Sequence, residues 1–268
     1  MIVKELMLSF FKRNIKLSFI VTGITAMIIL LLITIFPNMP ADNAAAVSAS
    51  WPQIMKDLFG DPVYSFTNIY GWLDLQIFHI TYWIAFGILG AILAANIVAK
   101  EIEGNTIDIL LSYPITRSGL VLSRVISVSM ILIIVTCFMI PICTLGIIVA
   151  GHAIHIGMII QALLSGFFIS MIFVSISLFI SIFTSQQTLS VFFTLGIMGF
   201  FFLYEQVLAK LYPFLDKLSL INPFHYYRTK DILVHKSFSI LNYAVLFAYT
   251  VSILILSMLC FNRKEITQ

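Results

Sequence analysis

Polar positions along the chain fall in clusters and leave long apolar stretches between them. Asp, Glu, Lys and Arg are absent from four windows, residues 17–41, 75–99, 125–204 and 237–262. Each can hold a membrane span of about 20 residues. The third window is 80 residues long and as one helix would measure about 120 Å, several bilayers thick. Two polar, helix-breaking clusters divide it, Gly151–Gly157 (GHAIHIG) and Thr184–Thr188 (TSQQT). Six spans result, near 17–36, 78–98, 126–150, 158–182, 189–205 and 240–261. Runs such as Met27–Ile33 (MIILLLI) lack the period-two alternation of barrel strands. With backbone groups in lipid satisfiable only inside helices or closed barrels, the spans are read as helices.

Composition removes the soluble alternative. Hydrophobic residues make up 60% of the 268 positions and charged residues 10%, against about 45–50% and about 25% in soluble domains. The whole chain, 1–268, reads as one all-α integral membrane domain. Its net charge of +3 comes from 15 basic and 12 acidic residues and gives no basis for nucleic acid as a partner. The run from Leu17 to Phe36 exceeds the usual 7 to 15 residue core of a signal peptide and is read as an uncleaved first span.

Orientation follows from basic residues in short loops. Lys4, Lys12, Arg13 and Lys16, then Lys100, Arg117 and Arg124, then Arg263 and Lys264 all fall on one side of the six-span arrangement. Both termini are therefore expected to be cytoplasmic. The exception is Lys210, Lys217, Arg228, Lys230 and Lys236, five basic residues in the outer loop 206–239.

Residues 1–16 place Ile2, Val3, Leu6, Met7 and Phe10 on one helical face and Glu5, Ser9, Lys12, Arg13 and Lys16 on the other. The pattern predicts an amphipathic helix in the headgroup plane, serving as a topology anchor or as an elbow that transmits motion. In the outer loop 37–77, Trp51, Ile54, Met55, Leu58 and Phe59 follow the i, i+3, i+4 pattern of a surface helix. Tyr64, Phe66, Tyr70 and Trp72 suit an interfacial aromatic belt. Gly87, Gly90, Ala91, Ala94 and Ala95 in the second span invite close helix packing. The fifth span carries Phe192, Phe193, Phe200, Phe201, Phe202 and Tyr204, which line a pathway or a dimer seam, or simply face lipid.

No Gly-Lys pair occurs, so the chain lacks a phosphate-cradling P-loop. It carries no nucleophile elbow and no Cys-x-x-Cys pair, and His152 and His155 have no neighbouring carboxylate or cysteine to complete a metal site. Neither an enzyme nor a bound cofactor or metal is expected. Ion-coupled carriers keep ionisable groups inside the membrane, and the charge-free window 125–204 leaves such groups out of the third to fifth spans as far as residue 204.

The densest charged cluster beside a membrane boundary is Lys100–Leu120, KEIEGNTIDILLSYPITRSGL. Gly104 permits a turn, Asn105 or Thr106 can cap a helix start, and Pro114 should end a helix of about 106–113. Ile107, Leu110 and Leu111 would then seat against membrane or partner, with Glu101, Glu103, Asp108 and Arg117 facing water. An ordinary amphipathic turn has the same pattern.

This stretch resembles the loop of type-2 ABC transporter permeases, whose loose pattern is Glu, Gly-x-Thr or Gly-Thr, a Leu-rich run, Pro, and Ser/Thr-Arg. The matching positions are Glu101 or Glu103, Gly104, Thr106, Leu110, Leu111, Pro114, Thr116 and Arg117, with Asn105 as an insertion. Leu218–Tyr226 (LSLINPFHY) is similar to the family's Asn-Pro-Phe segment before the last span. The resemblance implies a permease that dimerises with a second copy or a homologous permease, each half seated on a separate ABC ATPase that carries ATP and Mg. It implies a cytoplasmic coupling helix in loop 100–120 that docks into the ATPase, and re-entrant helices in the outer loop 206–239, which would account for the misplaced basic residues. The expected function is an exporter in a bacterial cell membrane moving an amphipathic substrate drawn from the bilayer, first an antimicrobial or toxin peptide. Rival readings are a non-transporting scaffold or immunity protein, and an ion-coupled carrier or channel.

Overall fold

The computed structural model describes residues 2–59, 62–107, 115–212, 214 and 216–264. The described residues are predominantly helical, with no strand among them. Six helices are long and apolar enough to cross a membrane: α1 (Ile2–Thr34), α5 (Ile69–Ala95), α7 (Arg117–Val149), α8 (Ile156–Thr184), α9 (Gln187–Leu211) and α12 (Ile240–Arg263). Between α1 and α5 lie the short helices α2 (Ala41–Ser50), α3 (Gln53–Phe59) and α4 (Pro62–Thr67). Short α6 (Ala99–Glu103) precedes α7, and α10 (Asp216–Ser219), a 3-10 turn Pro223–Tyr226 and α11 (Thr229–Leu233) fill the segment between α9 and α12. The protein is an all-α, multi-pass membrane protein.

Several boundaries differ from the sequence expectation, each for a physical reason. The amino-terminal turns are continuous with the first span, so that no break falls near residue 16. No Gly or Pro occurs before Gly23, and one polar stripe, Asn14, Ser18, Thr22 and Thr25, is buried across the expected boundary. The hydroxyls of Ser18 and Thr22 donate back to the Asn14 and Ser18 carbonyls at 3.0 and 2.6 Å, which lets the stripe be buried without unpaired donors. At 33 residues, α1 is about 50 Å long and outreaches a hydrocarbon core of about 30 Å.

The second span begins at Ile69 rather than near 78 and contains Asp74. Residues Asp74–Tyr82 are wound as a π-helix, a widening found often at functional positions. The fifth runs on to Leu211 rather than ending near 205, and so contains Glu205 and Lys210. Both differences have one origin: the windows stop at the first charge, whereas a helix continues through a charge that finds a partner. The absence of ionisable groups from the third to fifth spans therefore fails at Glu205.

The bundle is built from two parallel pairs. In the first, α1 lies along α7: Ser127 Oγ donates to the Met7 carbonyl at 2.9 Å, and farther along both helices Gly146 faces Ile33. In the second, α5 lies along α8: Gly87 sits against the Phe173 ring, Gly90 against Val174, and Gly166 against the Tyr82 ring. Ser177 Oγ donates to the Ala91 carbonyl at 2.8 Å. Gly87, Gly90, Ala91, Ala94 and Ala95 are thus the close-packing face of α5, as glycine and alanine permit in lipid. Helix α12 joins the second pair, with the Tyr243 hydroxyl 3.0 Å from Ser165 Oγ. Helix α9 is held on one side by Ser190, Thr194 and Met198, a narrow i, i+4, i+8 stripe that leaves the rest of its circumference outside the fold.

Candidate coupling and pathway sites

At the end of the bundle that carries both termini, the turn Asn96–Val98 follows α5 and leads into α6. Glu101, in the middle of α6, is only 4% exposed. Its Oε1 accepts from Arg13 of α1 at 2.8 Å and from Arg124 of α7 at 3.2 Å, while its Oε2 accepts from the Thr106 hydroxyl. Arg124 also donates to the Ile97 carbonyl at 2.8 Å. Both guanidinium groups lie over the buried Phe10 ring, at 5.4 and 5.2 Å, within cation–π range. Beside them Asn96 Nδ2 donates to Asn14 Oδ1 at 2.9 Å, and Asn14 Nδ2 to the Phe10 carbonyl at 2.8 Å. Burial pushes the Glu101 carboxyl up, but its bonds to Thr106 and Arg13 and the charges of Arg124 and Arg13 outweigh this and hold it below its ordinary 4.5.

The expectation that Glu101 faces water is therefore corrected. One carboxylate joins the loop to both helices of the first pair, with charge neutralisation as the reason for its burial. Arg13, Asn14, Asn96 and Arg124 were missed as site residues. Their signal was available: each is a polar residue within a turn or two of an apolar window edge, where it must find a partner.

The remaining loop residues are placed as follows. Glu103 is exposed and accepts the Gln187 backbone N–H at 3.0 Å, capping the start of α9. Gly104 has an ordinary φ of −85°; the left-handed residue of the turn is Asn105, at φ 53°, a conformation asparagine tolerates. The insertion is thus what makes the turn. A Cβ at Gly104 would lie 3.2 Å from the Lys100 carbonyl. Ile107 is buried. Asp108, Leu110, Leu111 and Pro114, and with them most of the expected 106–113 helix, lie outside the described residues. Arg117 donates to the Phe261 and Lys264 carbonyls at 3.3 and 2.5 Å, so that it terminates α12, where a cation complements the helix dipole.

Because Glu103 supplies an anion at a helix N-terminus, Glu103→Ala is expected to destabilise by about 0.3–1 kcal/mol. Hydrogen exchange should show faster opening of the first turn of α9 and unchanged protection in α7.

At the other end, the outer segments fold back on the spans. The Tyr227 hydroxyl donates to the Phe78 carbonyl at 2.7 Å, and the Thr229 hydroxyl donates to Asp74 Oδ1 at 2.6 Å. Asn222 explains the Asn-Pro-Phe segment: its Oδ1 accepts the Phe224 N–H at 3.0 Å and its Nδ2 donates to the Phe201 carbonyl at 2.7 Å. Glu205 pairs with His225 Nδ1 at 2.9 Å, and His225 Nε2 lies 3.1 Å from Arg228. The unexpected carboxylates of α5 and α9, Asp74 and Glu205, are thus matched by hydroxyl and basic groups of the folded-back segment.

The aromatic residues of α9 are divided. Phe200, Phe201 and Tyr204, together with Leu218, Ile221 and Asn222, line an apolar cavity of about 180 Å³. Phe192 and Phe193 lie two turns away and do not line it; Phe192 is 68% exposed. Phe202 points instead into the fold, 4.9 Å from the Trp83 ring.

The geometry is that of a membrane bundle whose two halves are joined at one end by a buried charge cluster, with no constellation for bond-making chemistry among the described residues. No curated protein matches the sequence. The model of the family described as ABC-2 family transporter protein matches residues 11–266, so that the chain belongs to that family, as a transmembrane permease subunit of an ABC transporter.

Proposed function

We propose that this subunit exports an amphipathic molecule across a bacterial cell membrane, with both termini cytoplasmic, using ATP hydrolysed with Mg on a separate ABC ATPase. The observation that carries the reading is the Glu101 cluster. A push on loop 100–120 by a docked ATPase reaches α1 and α7 through Arg13 and Arg124, and reaches α9 through Glu103. Docking falls to Glu103 and the segment from Thr106 through Asp108, Leu110, Leu111 and Pro114 to Arg117. Glu101 converts docking into relative motion of the two helix pairs. Such a motion needs two states that bind substrate differently.

The unpartnered face of α9, with Phe192 and Phe193, supports pairing with a second copy or a homologous permease. The cavity at Phe200, Phe201 and Tyr204, open beside that face, suits an apolar chain, for which an antimicrobial or toxin peptide is the first candidate substrate. The test is transport into inside-out vesicles containing the permease with its ATPase. Uptake of a fluorescent amphipathic peptide is expected to require ATP and to stop when loop 106–116 is replaced by a Gly-Ser linker. Equal uptake by the permease alone, without ATP, would overturn the reading.

A further inference from the structure

A second cavity, of about 370 Å³, lies where all three outer connections meet. Asn38 and Tyr64 come from the first, His152, Ala153 and His155 from the turn between α7 and α8, and Lys236 from the loop before α12. The start of α5, Asn68–Tyr70, forms another wall. Among the described residues no carboxylate lines it.

Three of its side chains carry donors that the fold leaves unused. The Lys236 side chain is exposed at the rim, and its ammonium takes part in no ion pair or hydrogen bond among the described residues. The His152 and His155 rings touch the Phe36 and Tyr70 rings at 5.3 and 5.6 Å, with no hydrogen bond from a ring nitrogen among the described residues. The scaffold beneath is fixed. The Tyr70 hydroxyl accepts the His155 backbone N–H and donates to the Ala153 carbonyl, both at 2.8 Å, tying the 152–155 turn to the start of α5. Among the described residues, unused cationic and neutral donors and amide and hydroxyl groups converge there, with no carboxylate to oppose them.

Its place in the fold narrows the anion. The cavity sits at the ends of spanning helices, beside a core ring cluster in which the buried Trp72 lies 6.1 and 5.8 Å from the Phe36 and Phe66 rings. The ends of spanning helices stand at the headgroup level of a bilayer, where the abundant anion is a phosphodiester. A volume of about 370 Å³ is at the small end of the roughly 300–1,000 Å³ of ligand pockets. That suits a polar head, and the polar lining does not suit an acyl chain.

We propose that this cavity binds a phosphate group, presented by a lipid headgroup or as the free anion. Lys236 supplies the charge, and His152 and His155 supply hydrogen bonds.

The full-length protein in nanodiscs, extracted and weighed by native mass spectrometry, tests this with phosphatidylglycerol and phosphate-free diacylglycerol as probes. Phosphatidylglycerol is expected to be retained at least about tenfold more than diacylglycerol. The triple variant Lys236→Gln, His152→Gln, His155→Gln should lose that preference, and Lys236→Arg should keep it. Inorganic phosphate that displaces the lipid would identify a site open to the free anion; no displacement would identify the headgroup as the source. Equal retention of the two lipids, or a triple variant that keeps the preference, overturns the proposal. The thermal midpoint in lipid-free detergent checks folding: Lys236→Gln alone should leave it unchanged, and the triple variant should lose only what the His152 and His155 ring contacts with Phe36 and Tyr70 contribute.

Discussion

Glu101→Ala is expected to abolish ATP-driven transport while the ATPase still copurifies with the permease. It is also expected to destabilise the isolated permease by about 3–5 kcal/mol, the typical cost of removing one member of a buried ion pair. Arg124 carries that cost. It is 3% exposed, already has an unpartnered Nε, and would retain only the Ile97 carbonyl, whereas Arg13 is half exposed and can turn to water. The thermal midpoint of the detergent-solubilised protein measures the destabilisation. The loss of transport is separated from it by Glu101→Leu with Arg124→Met: an apolar pair of similar size often restores the stability of a buried ion pair, but it cannot hold Arg13. A stable double variant with wild-type transport would show that the cluster is structural only.

The same carboxylate sets a pH window. Its folded pKa lies below the ordinary 4.5, so the unfolded state takes up a proton first as pH falls. The stabilisation from Glu101 is fully present above about 4.5 and is lost as pH drops through the depressed folded value. Acid unfolding of Glu101→Leu with Arg124→Met should accordingly lack that component, as seen in midpoints measured between pH 3 and pH 6.

Six spans were legible because the membrane demands about 20 apolar residues in a row, and the chain satisfies that demand by keeping its charges out. The ends were less legible for the same reason. Asp74 and Glu205 look like boundaries when charge is taken as a stop signal, yet Thr229 and His225, 155 and 20 residues away in sequence, allow the helix to continue through them. The loop 100–120 stood out as a charged cluster, but its division of labour did not. Whether Glu101 faces water depends on Arg13 and Arg124 meeting there, a tertiary fact that neither helical periodicity nor the family pattern carries. The Phe residues of α9 show a similar limit: Phe201 and Phe202 are neighbours in sequence, and only the 190–194–198 contact stripe decides which of them lines the outer cavity and which meets Trp83.

Gly166→Ala is expected to cost at or above the upper end of the roughly 1–3 kcal/mol typical of overpacking, and Gly157→Ala on the same helix to cost almost nothing. The two differ only in what the new methyl meets. At Gly157 there is nothing within 4 Å, whereas at Gly166 the Cβ would stand 2.1 Å from the Tyr82 ring. That ring cannot step aside. It is fully buried, its hydroxyl is 3.2 Å from Thr136 Oγ1 of α7, and its centroid lies 4.6 Å from Phe86. Tyr82 also closes the π-helical segment of α5, so the strain would pass into the widened turns that hold Asp74 against Thr229. Tyr82→Ala is itself costly, but it opens the space, and the double variant should be more stable than the sum of the two single changes by about 0.5–3 kcal/mol. Thermal midpoints of the four proteins close that cycle, and simple additivity would show that α5 and α8 are not in contact here. If the α5–α8 pair moves as one body against α1–α7, Gly166→Ala should reduce the folded fraction without changing the ATP dependence of transport by the protein that does fold. Glu101→Leu with Arg124→Met does the reverse, preserving the folded protein and removing the charged link between the pairs.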